Sequence, residues 1–244
     1  MSLTAALAPR RISTTSVVLA AAAVVAWGAT IAWIRVEDMG AMPGTMGMSL
    51  VSFTVMWGLM MAAMMLPSVA PFIRTYQGTI VERRAVRLVG LALGYLLVWT
   101  AVGVVAFFVA GWFGDLATER AGVAHVVGVA TFAVVGLYQL TPLKFRCLSH
   151  CRSPIGHLMH YLGFRGSTRD LRAGVSHGWF CLGCCWALML LMVAFGVMNL
   201  GAMVGLAAVI AIEKVWRHGE NFARVFGVAC LVFAVALVFE PGLA

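Results

Sequence analysis

Charge is scarce in this chain, and negative charge is scarcest. Only 11% of the 244 residues are charged, nine acidic against 17 basic. Soluble domains carry about 25% charged residues, so a water-soluble globular class is excluded. Cysteine is also sparse and unevenly placed. The six lie at 147, 151, 181, 184, 185 and 230, clustered at mid-chain, whereas a disulfide framework would scatter them through the loops. A G-x-x-x-x-G-K-[ST] phosphate loop is missing, so ATP-driven pumping by this chain alone is not expected.

Apolar sequence dominates instead, at 62% hydrophobic residues with a mean hydropathy of +0.97. At roughly 20 apolar residues per crossing, seven spans are predicted, near 15–34, 50–73, 88–112, 121–143, 177–198, 201–216 and 220–240. The sixth is short and joined to the fifth by only Asn199, Leu200 and Gly201, so six spans are the alternative. Arg10 and Arg11 before the first run resemble a secretory signal. The run is long for one and lacks a small-residue cleavage site, so a retained helix is expected.

Basic residues test this topology. With the N-terminus inside, 15 of the 17 Lys and Arg fall in cytoplasmic segments, and only Arg35 and Arg120 fall outside. This is a strong positive-inside pattern. It also accounts for the net charge of +8 by topology and contact with lipid headgroups, with no need for nucleic acid. The expectation is therefore an all-α, multi-pass helical bundle of the cytoplasmic (inner) membrane. Residues 1–244 form one transmembrane domain, and 144–176 a long basic cytosolic loop with short interfacial helices.

Sulfur is concentrated in four places. The first external loop carries Met39, Met42, Met46 and Met48 among glycines. The second span carries Met56, Met60, Met61, Met64 and Met65 before Pro67 and Pro71. Spacings of four make rows along a helix. Thioether rows suit tight helix packing and equally a soft ion such as Cu(I). The prolines are expected to break the helix and free carbonyls at that depth.

The internal segment opens with Cys147, His150 and Cys151, a C-x-x-H-C group on one helical face. Thiol and imidazole favour zinc or a copper-like ion over Mg or Ca. Lys144, Arg146 and Arg152 nearby are expected to lower the thiol pKa values. The fifth span carries Cys181, Cys184 and Cys185, and Met189 and Met192 continue the Cys181–Cys185 face. A Cys181–Cys184 redox couple is conceivable, but a lipid helix is a poor match to the thioredoxin context. Glu213 and Lys214 end the sixth span, where they either snorkel at the edge or offer Glu213 as an oxygen ligand. Cys230 reads as packing. Counting residues inward at 1.5 Å each puts Met64, Met65 and Cys185 at about the same depth.

These motifs resemble the bacterial integral membrane family DUF2182, described as predicted metal-binding membrane proteins. The matching stretches are Met56-Trp57 through Met64-Met65-Leu66-Pro67-Ser68, Tyr138 through Lys144, Cys147, Cys151-Arg152-Ser153-Pro154, His177-Gly178, Cys181 through Met189, Gly196 through Asn199 and Glu213-Lys214. They extend over about residues 40–216. The resemblance implies metal binding.

Residues and resemblance together point to a membrane metal-handling protein. It is expected to bind and then transport or deliver a thiophilic metal, with copper first and zinc second. The candidate ligands are Met60, Met61, Met64, Met65, Cys147, His150, Cys151, Cys181, Cys184, Cys185, Met189 and Glu213. Expected partners are membrane lipid and a metal-accepting protein. The rivals are a non-transporting subunit or assembly factor that packs against a partner protein, and a cysteine-based membrane oxidoreductase. An enzymatic activity is otherwise not expected.

Overall fold

The chain was analysed as a computed structural model that describes residues 14–36, 44–153 and 158–239. The expectations on Arg10, Arg11, Met39, Met42 and Pro154 lie outside the described residues. In order, the helices are α1 (Thr14–Val36), α2 (Leu50–Gln77), α3 (Arg84–Glu119), α4 (Ala121–Gln139), α5 (Pro142–Arg152), α6 (Leu158–Leu162), α7 (Arg169–Ala194), α8 (Leu200–Val215) and α9 (Gly219–Phe239). No strand occurs among the described residues. The protein is an all-α, polytopic helical bundle.

Six helices, α1, α2, α3, α4, α7 and α9, are long and apolar enough to cross a membrane. The predicted sixth span corresponds to α8, which has 16 residues. At 1.5 Å per residue it is about 24 Å long, short of a hydrocarbon core of about 30 Å. It still carries the chain back towards the end of the bundle where Lys144 meets Glu213.

Local sequence explains several boundaries. Ser49 caps α2 by accepting from the Ser52 amide, and Asn199 caps α8 by accepting from the Ala202 amide. Thr141 accepts from the Lys144 amide with Pro142 at the first helical position, so Leu-Thr-Pro ends α4 and starts α5. The basic segment expected as a loop therefore begins as a helix. Its far end belongs to α7, which starts at Arg169, eight residues before the predicted span. Pro67 and Pro71 do not break α2, which runs continuously to Gln77.

The tightest helix pair is α3 with α7. Gly94, Gly174 and Gly178 let the two backbones approach: a Cβ at Gly94 would overlap the Leu171 carbonyl oxygen, and one at Gly174 the Leu91 carbonyl oxygen. Small residues at such a crossing replace the hydrophobic drive that lipid does not supply.

One polar cluster ties α2, α3 and α7 together at the basic end. Tyr76 donates to Asp170 Oδ1 at 2.8 Å, and Arg87 forks onto both Asp170 oxygens at 3.0 Å. Asp170→Ala is expected to cost about 2 kcal/mol, since hydrogen bonds to charged groups contribute more than neutral ones. The thermal unfolding midpoint in detergent reads this, and an unchanged midpoint would show the cluster to be ornamental.

Candidate metal centre

Cys151, Cys181 and Cys184 place their sulfurs within 4.8 Å of one another, and all three are buried. Two come from adjacent turns of α7. The third arrives on α5, whose Cys151 Sγ lies 3.8 Å from Cys184 Sγ. Cys185 Sγ adjoins Cys184 Sγ at 3.2 Å. All six cysteines are free thiols.

The donor set fits a soft cation. With metal–sulfur bonds of about 2.3 Å, three sulfurs around one ion stand roughly 4 Å apart; Cys151 and Cys184 are 3.8 Å apart and no pair exceeds 4.8 Å. Burial of all three sulfurs excludes competing water.

Two groups frame the Cys181 sulfur. Tyr95 OH lies at 3.0 Å, and Lys214 Nζ donates to the sulfur at 3.0 Å. Lys214 is buried and also donates to Ser68 Oγ at 3.2 Å. A buried ammonium needs an anionic partner. Of these two acceptors, only the sulfur can carry negative charge. Ser68 in turn donates to the Met65 carbonyl at 2.8 Å and lies 3.9 Å from Met65 Sδ. The contacts Met65–Ser68–Lys214–Cys181 thus join the methionine row of α2 to the thiols of α7.

The other candidates fall into three groups. Met60, Met61, Met64 and Met65 on α2 and Met189 on α7 are buried in one contiguous cluster that also holds the four buried thiols of α5 and α7. The same cluster contains Met56, Met192, Met198 and Met203, and half-buried Met46, Met48 and Cys147 pack against it. Cys147 lies on the α5 face towards α7, so close to Gly183 that a Cβ there would sit 2.6 Å from its sulfur. His150 stands apart from the three thiols: its ring stacks on Phe180 at 3.9 Å and Nδ1 lies 2.9 Å from the Arg146 carbonyl oxygen.

Glu213 is held by groups other than the three thiols. Its carboxylate accepts from Lys144 Nζ at 2.7 Å and from Gln139 Nε2 at 2.7 Å. Lys144 and Glu213 side chains are 0% and 1% exposed, so neither Glu213 nor the buried Lys214 snorkels.

The basic neighbours of α5 do not lower its thiol pKa values. Burial pushes the Cys147 thiol up, and Lys144 offsets only part of this. The Cys151 thiol is also raised, first by its hydrogen bond to Cys181, with burial adding to it and Cys184 opposing. Lys144 aims at Glu213 and the Cys184 carbonyl, and Arg152 at the carbonyls of Glu213 and Arg217.

Residues 54–237 match the family described as PpoB2, copper chaperone. The chain belongs to this copper chaperone family. The match spans all twelve candidate ligands and the three-thiol group, and the family it names is a copper-related one, in keeping with the DUF2182 resemblance. Comparison with curated proteins and with solved structures finds no match.

Lys144, Lys214, Tyr95, Ser68 and Gln139 were not among the residues singled out as ligands. One signal for the lysines was present: Lys144 and Lys214 each border an apolar run, where an ionisable group is expensive unless paired. Tyr95 and Ser68 carry no comparable signal, because their partners lie 86 and 146 residues away.

Proposed function

We propose that this protein binds Cu(I) at Cys151, Cys181 and Cys184 in the cytoplasmic membrane and hands it on to an acceptor protein. The observation that carries this reading is the buried three-thiol group, contributed by two different helices, in a chain of a copper chaperone family. Thiolate sulfur selects Cu(I), and a membrane copper chaperone needs a site that excludes water and oxidant.

The methionine cluster supports the same reading. Thioethers bind Cu(I) more weakly than thiolates and do not form disulfides. Zinc makes little use of them, which favours copper over zinc as the cargo. A contiguous sulfur-rich core bordered by Met46 and Met48 on one side and Cys147 on another suits movement by ligand exchange, which needs sites that release as well as bind.

Lys214 serves the cargo site by its charge. Bringing a cation to buried thiolates is easier where the empty site is already neutralised by an ammonium that can shift towards Ser68. Copper chemistry at the site needs nothing further from the chain than binding, desolvation and this charge balance.

Metal analysis of the purified, reduced protein tests the proposal. The expected result is about one copper per chain, removed by a strong Cu(I) chelator and restored by Cu(I). Protein purified reduced from copper-replete cells that carries no copper and takes up none would sink it. Zinc in place of copper would overturn the choice of cargo.

A further inference from the structure

The third thiol of the site does not share a helix with the other two. Cys151 lies on α5, an 11-residue helix too short to cross the bilayer or to be stable alone in water. Something must hold it against α7.

Both ends of α5 are tied to one residue of α8. In the first turn, Lys144 Nζ donates to Glu213 Oε2 at 2.7 Å and to the Cys184 carbonyl. In the last turn, Arg152 Nη1 donates to the Glu213 carbonyl, and Nη2 to the Arg217 carbonyl at 3.0 Å. The second carboxylate oxygen of Glu213 is held by Gln139 Nε2 at 2.7 Å, from the end of α4. Cys151 immediately precedes Arg152, and Leu148, between the two tethers, is fully buried.

We infer that Glu213 is a positioning residue that seats Cys151 in the three-thiol site through Lys144 and Arg152, and is not itself a metal ligand. This rests on the copper reading for its purpose, not for its geometry. Both carboxylate oxygens are engaged by buried donors, Gln139 and Lys144. Neutralising the carboxylate leaves the Lys144 ammonium buried without its counter-charge, a state that is relieved when the first turn of α5 leaves the bundle. Cys151 then leaves with it, and a three-sulfur site becomes a two-sulfur site.

The test uses the full-length protein in detergent, with two readouts. The first needs no metal: maleimide alkylation of Cys151 in reduced, metal-free protein, followed by peptide mass mapping. Wild type is expected to react slowly at Cys151, and Glu213→Gln roughly tenfold faster or more, as expected for local opening of one element. Glu213→Asp, which retains the charge, is expected to restore slow labelling. The second readout is X-ray absorption after loading with Cu(I) alone. It should show about three sulfurs in wild type, and two in Glu213→Gln and in Cys151→Ser. Arg152→Met cuts the other tether without leaving a buried charge and covers the case in which Glu213→Gln fails to fold. It is expected to give the same faster labelling and the same loss of one sulfur.

Wild-type labelling rates at Cys151 in both tether variants overturn the inference. So does a copper–oxygen shell in wild type that disappears in Glu213→Gln, since Glu213 would then be a ligand. A wild-type protein that takes up no Cu(I) overturns the copper reading, while the labelling arm still decides the positioning role.

Discussion

Replacing Cys181 and Cys184 together by serine is expected to abolish Cu(I) binding, from about one ion per chain to none. These two residues supply both thiols that α7 gives to the three-thiol group, so only Cys151 would remain. A serine hydroxyl is a hard oxygen donor and a poor ligand for a soft cation. The substitution leaves the helix intact, because buried serine hydroxyls can donate to the carbonyl one turn back. Cys184 already makes such a contact, with its Sγ 3.1 Å from the Cys181 carbonyl oxygen. Cys230→Ser is the matched control. Cys230 is buried on α9 and is not part of the group, so copper content should be unchanged. Competition with a chelator of known Cu(I) affinity reads both variants. Undiminished stoichiometry and affinity in the double variant would move the site to the methionine rows.

Replacing Gly94 and Gly174 together by alanine is expected to cost about 3 kcal/mol or more, at the upper end for overpacked cores. At Gly103 an added methyl would meet the side chain of Trp57. In the Gly94–Gly174 pair each Cβ meets a carbonyl oxygen of the facing helix, Leu171 for Gly94 and Leu91 for Gly174. The contact is reciprocal, so the helices must separate and neither can yield alone. Because α7 carries Cys181, Cys184 and Asp170, separation also loosens the thiol group and the Tyr76–Asp170–Arg87 cluster. Unfolding followed by the fluorescence of the eight tryptophans should show a lower midpoint together with weaker Cu(I) binding. Gly28→Ala separates packing from helix propensity: nothing lies within 4 Å of a Cβ there. That variant should gain up to about 1 kcal/mol, the propensity difference between the two residues. Equal midpoints for all three proteins would show that the close crossing is not needed.

The two buried lysines show why sequence reasoning reached the donors but not their setting. Glu213-Lys214 at the end of an apolar run suggested either snorkelling or an oxygen ligand. Burial rules out snorkelling, and the carboxylate is instead paired with Lys144, 69 residues earlier and likewise sealed from solvent. Nor did nearness in sequence decide the electrostatics of α5. Lys144, Arg146 and Arg152 surround Cys147 and Cys151 along the chain, yet two of the three point their charges at α8; burial raises the Cys147 thiol pKa, and the hydrogen bond to Cys181 leads the rise at Cys151. His150 shares a helical face with the two cysteines, but stacking on Phe180 holds it away from the α7 thiols.

The methionine row on α2 shows the complementary case. Its depth relative to the α7 cysteines could be counted from topology and helical rise alone, and Met65 does lie within a short polar chain of Cys181. That count holds because rise per residue is a property of the backbone and does not depend on neighbours.

By itself, the amino-acid sequence determined the membrane class, the helical architecture, the run of spans and the soft donor types, since these depend on hydropathy, backbone geometry and ligand chemistry. Only the tertiary structure decided which donors meet. Cys151 joins Cys181 and Cys184 because a buried Lys144–Glu213 pair and Arg152 draw α5 against α7 and α8. Cys147 lies outside the group, against Gly183, while His150 and Glu213 are engaged by other residues. Long-range pairing of this kind depends on packing between helices distant in sequence, which no local pattern encodes.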